Sequence, residues 1–532
     1  EITARKIRLL EPDHALLGVP GDGGNDVIVA KARWSNDREF RDTLALRLDT
    51  LSGITHPLSA PPDANVTEWM LDEHGEPRAA LDTRGAHARL FWRAPGKAGW
   101  ELLDDSPTAI GQPRYRPLWN EGGTLYVTAA SGKDQTAALY RYETTKRSLD
   151  PQALFSTTGF DYDGWHVFDQ ASGRVVGIRY QSDAAGSYWF DTRLQAAQRE
   201  IDALLPGTVN RLICLRCTDA ARLLISAASD RQPAVYYLFD TKTRKLEAIG
   251  SSRPWIDARQ MATQDFVRIE ARDGLSLPIY VTRPPGKSDA PRPAVVLVHG
   301  GPQVRGNVWG WQPITQFLAS RGYVVIEPEF RGGNGFGFAH LSAGFRQWGR
   351  AMQDDVTDAT HWAIRSAGID PKRICIAGAS YGGYAALMGL LREPDLYRCG
   401  FEWVGVTDLE LMFSIPYSDL PEDWKQHGLQ IMLGDPERDK EAMRAVSPLM
   451  QAEHIKQPLL LAYGGRDRRV PLTHGVQFHD AVRRSNRDVE WVVYPEEAHG
   501  WGALETNRDF WTRVENFLAR NIGAATDTAA RR

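Results

Sequence analysis

The chain has few cysteines, no long apolar run and almost no excess of charge, and each absence excludes a class of protein. Four cysteines in 532 residues rule out a disulfide scaffold. No apolar stretch approaches the ~18 residues of a membrane-spanning helix. The formal net charge is only −4, with no basic run, so nucleic acid is not an expected partner. A chain of this length is expected to form two or three domains.

Two of the cysteines, Cys214 and Cys217, form a C-x-x-C pair in a segment that reads as a strand. Because no second pair and no helix start adjoin them, a structural role is favoured over metal binding or redox chemistry. The chain begins with Glu1 rather than Met, which predicts that the natural N-terminus and any signal peptide have been removed. The compartment, cytoplasm or periplasm, stays open.

Residues 1–262 read as an all-β region with a repeat of about 45 to 50 residues, the length of a four-stranded propeller blade. Five apolar segments rich in Leu, Tyr, Phe and Trp each end in a polar turn; they are 44–48, 90–93, 139–142, 188–190 and 236–239. This region is therefore expected to be a propeller with about five visible blades.

Residues 263–523 show a different pattern, in which strands alternate with helices. A strand pair, 267–271 and 277–282, comes first. The helices are predicted at 313–320, 350–366, 381–391, 472–484 and 508–520. Such alternation is typical of a mostly parallel, doubly wound sheet. The tail, 524–532, is expected to be disordered.

Ser380 lies in the sequence Gly378-Ala379-Ser380-Tyr381-Gly382, directly after the β-branched run at 374–376 and before a helix of small residues. A serine hydroxyl is a poor nucleophile unless a sharp turn presents it beside a base. The two glycines allow strand and helix to approach at that turn. Ser380 is therefore predicted to be a catalytic nucleophile.

The partners of Ser380 follow in the order acid, then histidine. Asp467 comes after a buried strand at 458–463, and His499 comes after another at 489–494. This chain order is typical of the Ser-Asp-His triad of α/β-hydrolases. Upstream, a strand at 294–298 opens into His299-Gly300-Gly301-Pro302, a loop expected to supply an oxyanion donor.

Other acids and histidines are interpreted as structural. Asp354 and Asp355 precede the nucleophile and read as helix-start residues. His474 and His479 lie on a predicted helix and read as surface residues.

These motifs, together with 329–337 and Trp348-Gly349, resemble the prolyl oligopeptidase family of serine peptidases over about residues 263–522. The resemblance is closest to the acylaminoacyl-peptidase-like and dipeptidyl-peptidase-like bacterial branches. It implies an α/β-hydrolase domain preceded by an all-β propeller domain. Because relatives carry seven or eight blades, this chain is expected to be short by two or more: either its propeller is unusually small, or the chain is truncated or processed at its N-terminus.

The resemblance assigns further roles in binding. The oxyanion would be held by the backbone N–H groups of Tyr381 and Gly301. Where several relatives have a tyrosine this chain has His299, as acylaminoacyl peptidases do, and that residue is read as a scaffold rather than a second base. Arg469 would bind a carbonyl on the acyl side of the scissile bond, by paired donors.

The first specificity pocket would be bordered by Val470 and by the segment after residue 405. Its implied lining residues are Val406, Leu409, Met412 and Phe413. Without an obvious tryptophan clamp, such a pocket favours a medium apolar residue over strict proline specificity. The segment 416–428 is expected to be an irregular loop near the mouth.

The expected function is hydrolysis of short peptides through an acyl-enzyme, with no metal or cofactor and no membrane or nucleic-acid partner. An acylaminoacyl-peptidase-like exopeptidase or oligopeptidase is favoured, and a dipeptidyl peptidase is the alternative. The acid pair that binds a free amine is not identifiable, since Glu496-Glu497 belongs to the histidine loop. A carboxylesterase or a non-catalytic propeller binding protein stay open. A short propeller predicts a homo-oligomer or association with a missing N-terminal fragment.

Overall fold

The computed structural model describes residues 9–523 except 22, 36–39, 84–86, 109, 111, 287, 289, 421 and 423. The predicted tail, 524–532, lies outside the described residues. Over this part of the chain, no helix combines the length and the apolar character needed to cross a membrane.

Five antiparallel sheets follow one another in the first half of the chain. The first contains β1 (His14–Gly18), β2 (Asp26–Trp34), β3 (Phe40–Asp49) and β4 (Thr55–Pro57). The second contains β5 (Glu68–Leu71), β6 (Pro77–Asp82), β7 (His87–Trp92) and β8 (Glu101–Pro107). The third contains β9 (Arg116–Glu121), β10 (Thr124–Ser131), β11 (Thr136–Glu143) and β12 (Ser148–Leu149).

The fourth sheet departs from this plan, because a helix follows its third strand. It contains β13 (Gly164–Asp169), β14 (Arg174–Gln181) and β15 (Ala185–Trp189), and α1 (Thr192–Leu204) comes next. The Asp191 carboxylate caps the N-terminus of α1, where it accepts hydrogen bonds from Arg193 N and Leu194 N at 2.9 and 3.2 Å. The fifth sheet contains β16 (Val209–Ile213), β17 (Arg222–Ala228), β18 (Val235–Asp240) and β19 (Leu246–Ser251).

The five sheets are propeller blades, and each predicted apolar segment overlaps the third strand of one blade: β3, β7, β11, β15 and β18. Neighbouring blades bury apolar side chains between them. Leu90 and Trp92 of the second blade, for example, pack with Leu125 and Tyr142 of the third. The helix α1 joins the fourth and fifth blades through Leu194, Ala197 and Ile201, which share one of its faces.

The second half of the chain forms one eight-stranded sheet in the order β20-β21-β23-β22-β24-β25-β26-β27. Its strands are β20 (Thr263–Glu270), β21 (Ser276–Arg283), β22 (Arg292–Val298), β23 (Val324–Pro328), β24 (Ile369–Ala379), β25 (Cys399–Trp403), β26 (Leu459–Gly464) and β27 (Val489–Tyr494). The pairs β20–β21 and β21–β23 are antiparallel, and every later pair is parallel. The predicted, mostly parallel sheet is confirmed.

Helices cover both faces of this sheet. The first five are α2 (Pro313–Ser320), α3 (Phe338–Ser342), α4 (Ala351–Ser366), α5 (Tyr381–Arg392) and α6 (Leu409–Ser414). The others are α7 (Leu429–Leu433), α8 (Lys440–Arg444), α9 (Thr473–Val482) and α10 (Leu504–Asn521). One core cluster takes side chains from α4, α5 and α9, and a second cluster on the other face takes them from α2 and α10.

The predicted helices are all present, with the largest shift at α10, which begins at Leu504 rather than 508. The carboxylate of Glu497 accounts for the earlier start. It accepts hydrogen bonds from Gly502 N and Ala503 N at 2.7 and 2.9 Å, directly before the first helical residue.

His474 is buried, so its interpretation as a surface residue is wrong. It shares one face of α9 with Phe478 and Val482, at spacings of four residues, and that face packs on the sheet. Burial lowers its pKa to about 3. Its Nδ1 lies 3.3 Å from Thr407 N, so a neutral ring accepts that hydrogen bond.

The C-x-x-C pair also differs from the prediction in its local structure. Cys214 and Cys217 lie in a turn after β16 rather than in a strand, and they form a disulfide bond. The Asp169 carboxylate accepts hydrogen bonds from Cys217 N and Thr218 N, at 2.5 and 3.2 Å. These hydrogen bonds fasten the turn that contains the disulfide to Asp169, at the end of β13.

Candidate active site

Ser380 lies between the end of β24 and the start of α5, in a backbone conformation that few residues adopt. Its φ and ψ are 59° and −120°, which is strained for a residue with a Cβ. Its N–H donates to Trp403 O at 3.1 Å and its carbonyl accepts from Val406 N at 3.3 Å. Strain of this kind persists only where the surroundings enforce it, and here these two backbone hydrogen bonds hold the turn.

The two predicted turn glycines are required by close contact. A Cβ at Gly382 would lie 2.0 Å from Val298 O, and a Cβ at Gly378 would lie 2.5 Å from the same atom. Any side chain at either position would push α5 away from β22 and β24. The glycine requirement therefore follows from the approach of the helix to the sheet.

Asp467 and His499 lie on the loops that follow β26 and β27, at the same edge of the sheet as Ser380. His499 Nδ1 is 2.7 Å from Asp467 Oδ2. The other carboxylate oxygen, Oδ1, accepts hydrogen bonds from Arg469 N and Val470 N, at 2.8 and 2.9 Å. With the Asp467 carboxylate buried and held at both oxygens, the orientation of the imidazole is set by the fold.

The glycine loop after β22 lies directly against the nucleophile turn. A Cβ at Gly300 would lie 3.1 Å from Ala379 O and 3.4 Å from Ser380 Cβ. Gly301 has a φ of 120°, which favours glycine. The N–H of Tyr381, at the first position of α5, has no partner within its own helix. Both predicted donors therefore belong to segments that adjoin Ser380.

His299 is held beneath this loop by its surroundings. Its Nδ1 is 2.7 Å from Gly300 O, and its ring stacks on Phe330 with centroids 4.3 Å apart. Its Nε2 lies 3.7 Å from a carboxylate oxygen of buried Glu329. These contacts fit a scaffold residue better than a second base.

A cavity of about 550 Å³ opens over Ser380. Its lining includes Ser380, His499, Gly301 and Tyr381. The predicted binding residues Arg469, Val470, Val406 and Met412 line it as well.

Two of the predicted pocket residues do not line this cavity. Leu409 borders a neighbouring pocket of about 240 Å³. Phe413 packs against the hydrophobic core. Both lie on α6, which has other faces directed away from the cavity.

The cavity is more aromatic than predicted, because Trp348 and Trp424 contribute to its wall. Neither is near residue 405 in sequence, which is why an argument from that segment missed them. The Trp348-Gly349 motif was the available signal, since it is part of the family resemblance. Trp424 begins a short π-helix, Trp424–Gly428, within the segment predicted to be an irregular loop.

Arg469 is engaged by an acid at the cavity mouth. Its Nε lies 2.6 Å from Asp419 Oδ1 and its Nη2 lies 3.2 Å from Asp419 Oδ2. Asp419 N also donates to Arg468 O at 2.8 Å. The segment 416–428 is thereby fastened to the loop that carries Asp467.

Asp354 and Asp355, the two competing acids upstream of Ser380, occupy structural positions. Asp354 lies in the first turn of α4, as predicted, and Asp355 is buried against Arg331, with Oδ1 2.7 Å from Nη2. Within the described ranges we find no group of three or more His, Cys, Asp or Glu side chains arranged to hold a metal ion.

The fold and the site define the class of protein: an α/β-hydrolase domain that follows a propeller and presents a serine on a strand-to-helix turn. A sequence model of the prolyl oligopeptidase family matches residues 309–525. Dipeptidyl aminopeptidase BIII of Pseudoxanthomonas mexicana is 32% identical over 510 residues, which cover 92% of this chain and 71% of that protein. The chain therefore belongs to the prolyl oligopeptidase family, and it is a serine-type peptidase.

Other proteins are similar to this chain at lower sequence identity. The acylamino-acid-releasing enzyme of Rattus norvegicus is 25% identical over 269 residues, which cover 49% of this chain and 35% of that enzyme. The structure of a Mycobacterium tuberculosis puromycin-hydrolysing peptidase superposes with a TM-score of 0.72 at 20% identity, covering 96% of this chain and 79% of that one. This likeness extends the shared fold to the propeller.

Proposed function

We propose that Ser380, Asp467 and His499 form the catalytic triad, and that the protein hydrolyses short peptides through an acyl-enzyme on Ser380. The observation that carries the proposal is the 2.7 Å contact of His499 Nδ1 with buried Asp467 Oδ2. Ser380 and His499 line the same cavity. A histidine with its Nδ1–H bound to a carboxylate keeps Nε2 available as an acceptor.

In this mechanism His499 Nε2 takes the proton of Ser380 as Oγ attacks the scissile carbonyl. The oxyanion receives hydrogen bonds from Tyr381 N–H and Gly301 N–H. His499 then returns the proton to the leaving amine, and Asp467 stabilises the imidazolium throughout. A water molecule, activated by His499 in the same way, then attacks the acyl-enzyme. The carboxylic product leaves and Ser380 is restored.

The first pocket would take an apolar residue on the acyl side of the bond. Val406, Met412, Trp348 and Trp424 form an apolar wall beside Ser380. Because three tryptophans line the cavity, these two and Trp403, the pocket suits flat or bulky side chains such as Phe and Leu, as well as Ala.

The propeller would restrict the substrates to short peptides, since its loops contact the segment that follows Gly301. Arg305 donates from Nη1 to Gln181 O at 3.4 Å, and Trp309 N donates to Asp183 O at 2.9 Å. Gln181 ends β14 of the fourth blade, and Asp183 lies in the turn between β14 and β15. A folded protein would have to displace this contact to reach Ser380.

The N-terminus of the substrate is proposed to be blocked, as for an acylaminoacyl peptidase. No aspartate or glutamate lines the cavity in the described part of the chain, and a free ammonium group needs such a partner. The second candidate is a dipeptidyl peptidase. It is favoured by the 32% identity to a dipeptidyl aminopeptidase over 92% of this chain, and the nearest acid for its amine would be Asp419 beside Arg469.

A comparison of two chromogenic amides tests these alternatives. The first is an N-acetylated phenylalanyl amide, and the second is a dipeptidyl amide with a free N-terminus and Phe at the same position. We expect a higher kcat/KM for the blocked substrate. The opposite order would establish the dipeptidyl candidate, and turnover of esters alone would contradict the peptidase mechanism.

Arg469→Gln is expected to lower kcat/KM for a blocked peptide substrate by about 10- to 100-fold, as the loss of a charged hydrogen bond of about 1.5–3 kcal/mol requires. The turnover of p-nitrophenyl acetate should change little, because this ester has no second carbonyl to bind. Arg468→Gln is the matched control, since that arginine does not line the cavity. An equal loss for both substrates would indicate general damage to the site rather than lost peptide binding.

A further inference from the structure

Glu402 is a buried acid behind the nucleophile turn that the triad mechanism does not use. It lies on β25, in register with Gly378 of β24, and is 1% exposed. A buried carboxyl group costs free energy unless it is neutral or well paired, so its presence beside Ser380 requires a physical account.

The Glu402 carboxyl contacts the two segments that shape the turn. Its Oε2 accepts a hydrogen bond from Gly405 N at 2.8 Å. A Cβ at Gly405 would lie 2.5 Å from Oε2, and a Cβ at Gly383, in the first turn of α5, would lie 3.0 Å from it. Helix and loop therefore approach this carboxyl as closely as glycine permits.

The loop that contains Gly405 also forms backbone hydrogen bonds with Ser380. Ser380 N donates to Trp403 O at 3.1 Å, and Val406 N donates to Ser380 O at 3.3 Å. Between these two contacts, Val404 has a φ of 51°, a strained value for a β-branched residue. Val404 and Val406 also line the cavity. The Gly405 contact is thus positioned to keep both the nucleophile and one wall of the first pocket in place.

The surroundings keep the Glu402 carboxyl protonated at neutral pH. Burial raises its pKa to about 8, and the hydrogen bond from Gly405 N–H, which favours the charged form, offsets burial only in part. Tyr463 OH, from β26, donates its single hydrogen to Gly405 O at 2.8 Å. Among the described residues no group donates a hydrogen bond to Glu402 Oε1. On α5 the residue that approaches the Glu402 carboxyl is Gly383, which carries no charge. The nearby charge of Asp467 acts on Tyr463.

We propose that Glu402 is a positioning residue for the nucleophile: its neutral carboxyl holds the 403–406 loop against Ser380 and so maintains the reactive geometry. This inference rests on the proposed function only in that Ser380 is the reacting group. When pH rises through the titration of Glu402, a negative charge develops in a site without a cation partner among the groups named above. The loop then relaxes and Ser380 loses its alignment.

The test uses Glu402→Gln and Glu402→Leu and measures two rates across about pH 6 to 10. One is the rate of covalent reaction of Ser380 with a fluorophosphonate, which reports the reactivity of the serine whatever the natural substrate. The other is kcat for the blocked amide. In the wild type both rates should fall as pH passes about 8. Glu402→Gln, a neutral group of the same shape, should stay within about 3-fold of wild type near pH 7 and lose this alkaline fall.

Glu402→Leu should lower both rates by about 10- to 100-fold at every pH, with KM changed less, since misplacement of a reacting group by about 1 Å can cost as much. The matched control is Glu327→Gln. Glu327 is another buried acid of the same sheet, whose pKa burial raises to about 7, but its Oε1 accepts from Thr315 Oγ1 at 2.9 Å, away from the cavity. This variant should keep the wild-type alkaline fall.

Two results would overturn the proposal: a folded Glu402→Leu protein with wild-type rates, or a Glu402→Gln protein with an unchanged alkaline fall. If Glu402→Leu does not fold, the pH profile of Glu402→Gln decides. A wild-type protein that reacts with the fluorophosphonate but cleaves no peptide would defeat the proposed function and leave this test intact. A wild-type Ser380 that does not react at all would defeat both.

Discussion

Replacing Ser380 with alanine is expected to lower kcat for the chromogenic amide by about 10⁴-fold or more. The substitution removes the atom that forms the acyl-enzyme, and no other hydroxyl is proposed to replace it. The backbone contacts of Ser380 with Trp403 O and Val406 N do not involve the side chain and should persist. The measurement is single-turnover release of the chromophore from an excess of enzyme.

The control for this prediction is the stability and labelling of the same protein. Ser380→Ala should unfold at the wild-type temperature and should no longer react with the fluorophosphonate. Alanine and serine both carry a Cβ, so the backbone strain at a φ of 59° is the same for both, and no loss of stability is expected. Residual turnover above about one per cent would show that another residue is the nucleophile.

Asp467→Asn is expected to lower kcat by about 10⁴-fold, because it forces the wrong tautomer on His499. Asp467 Oδ1 accepts two backbone hydrogen bonds, from Arg469 N and Val470 N. In an asparagine the carbonyl oxygen must keep these contacts, so the amide NH₂ faces His499 Nδ1. That nitrogen must then accept, the ring proton moves to Nε2, and His499 can no longer take the proton of Ser380.

Asp480→Asn is the matched control, because Asp480 Oδ1 lies 3.1 Å from His479 Nδ1 on the exposed part of α9. It should leave kcat unchanged. An Asp467→Asn protein that keeps more than about a tenth of wild-type turnover would exclude Asp467 as the residue that orients His499.

Much of the fold could be predicted because its signals are local. The third strand of each blade is an apolar run closed by a polar turn, so five repeats indicated five blades. The alternation of buried strands with amphipathic helices predicted the parallel sheet for the same reason. For the site, the order of Ser380, Asp467 and His499 was informative because the carboxyl ends of parallel strands meet at one edge of the sheet.

The predictions that failed depended on contacts between distant segments. His474 is polar and lies on a helix, but α9 turns that face toward the sheet together with Phe478. Trp424 reaches the cavity from a segment that no local pattern connects to Ser380, and Trp348 could have been found only through the motif that it shares with the family. For Cys214 and Cys217 the favoured structural role agrees with their disulfide, and only their predicted place in a strand was wrong, since they lie in a turn.

The order of residues along the chain was enough to specify which groups could do chemistry, since a nucleophile turn needs its glycines and a parallel sheet collects the residues at its strand ends. The environment of those groups was decided by the tertiary structure alone. Burial and the distances between remote segments decide whether Glu402 is neutral. They also decide which residues form the wall of the first pocket and which acid pairs with Arg469. Those quantities exist only once the chain has folded, because electrostatic and packing energies depend on separation in space and not on separation in sequence.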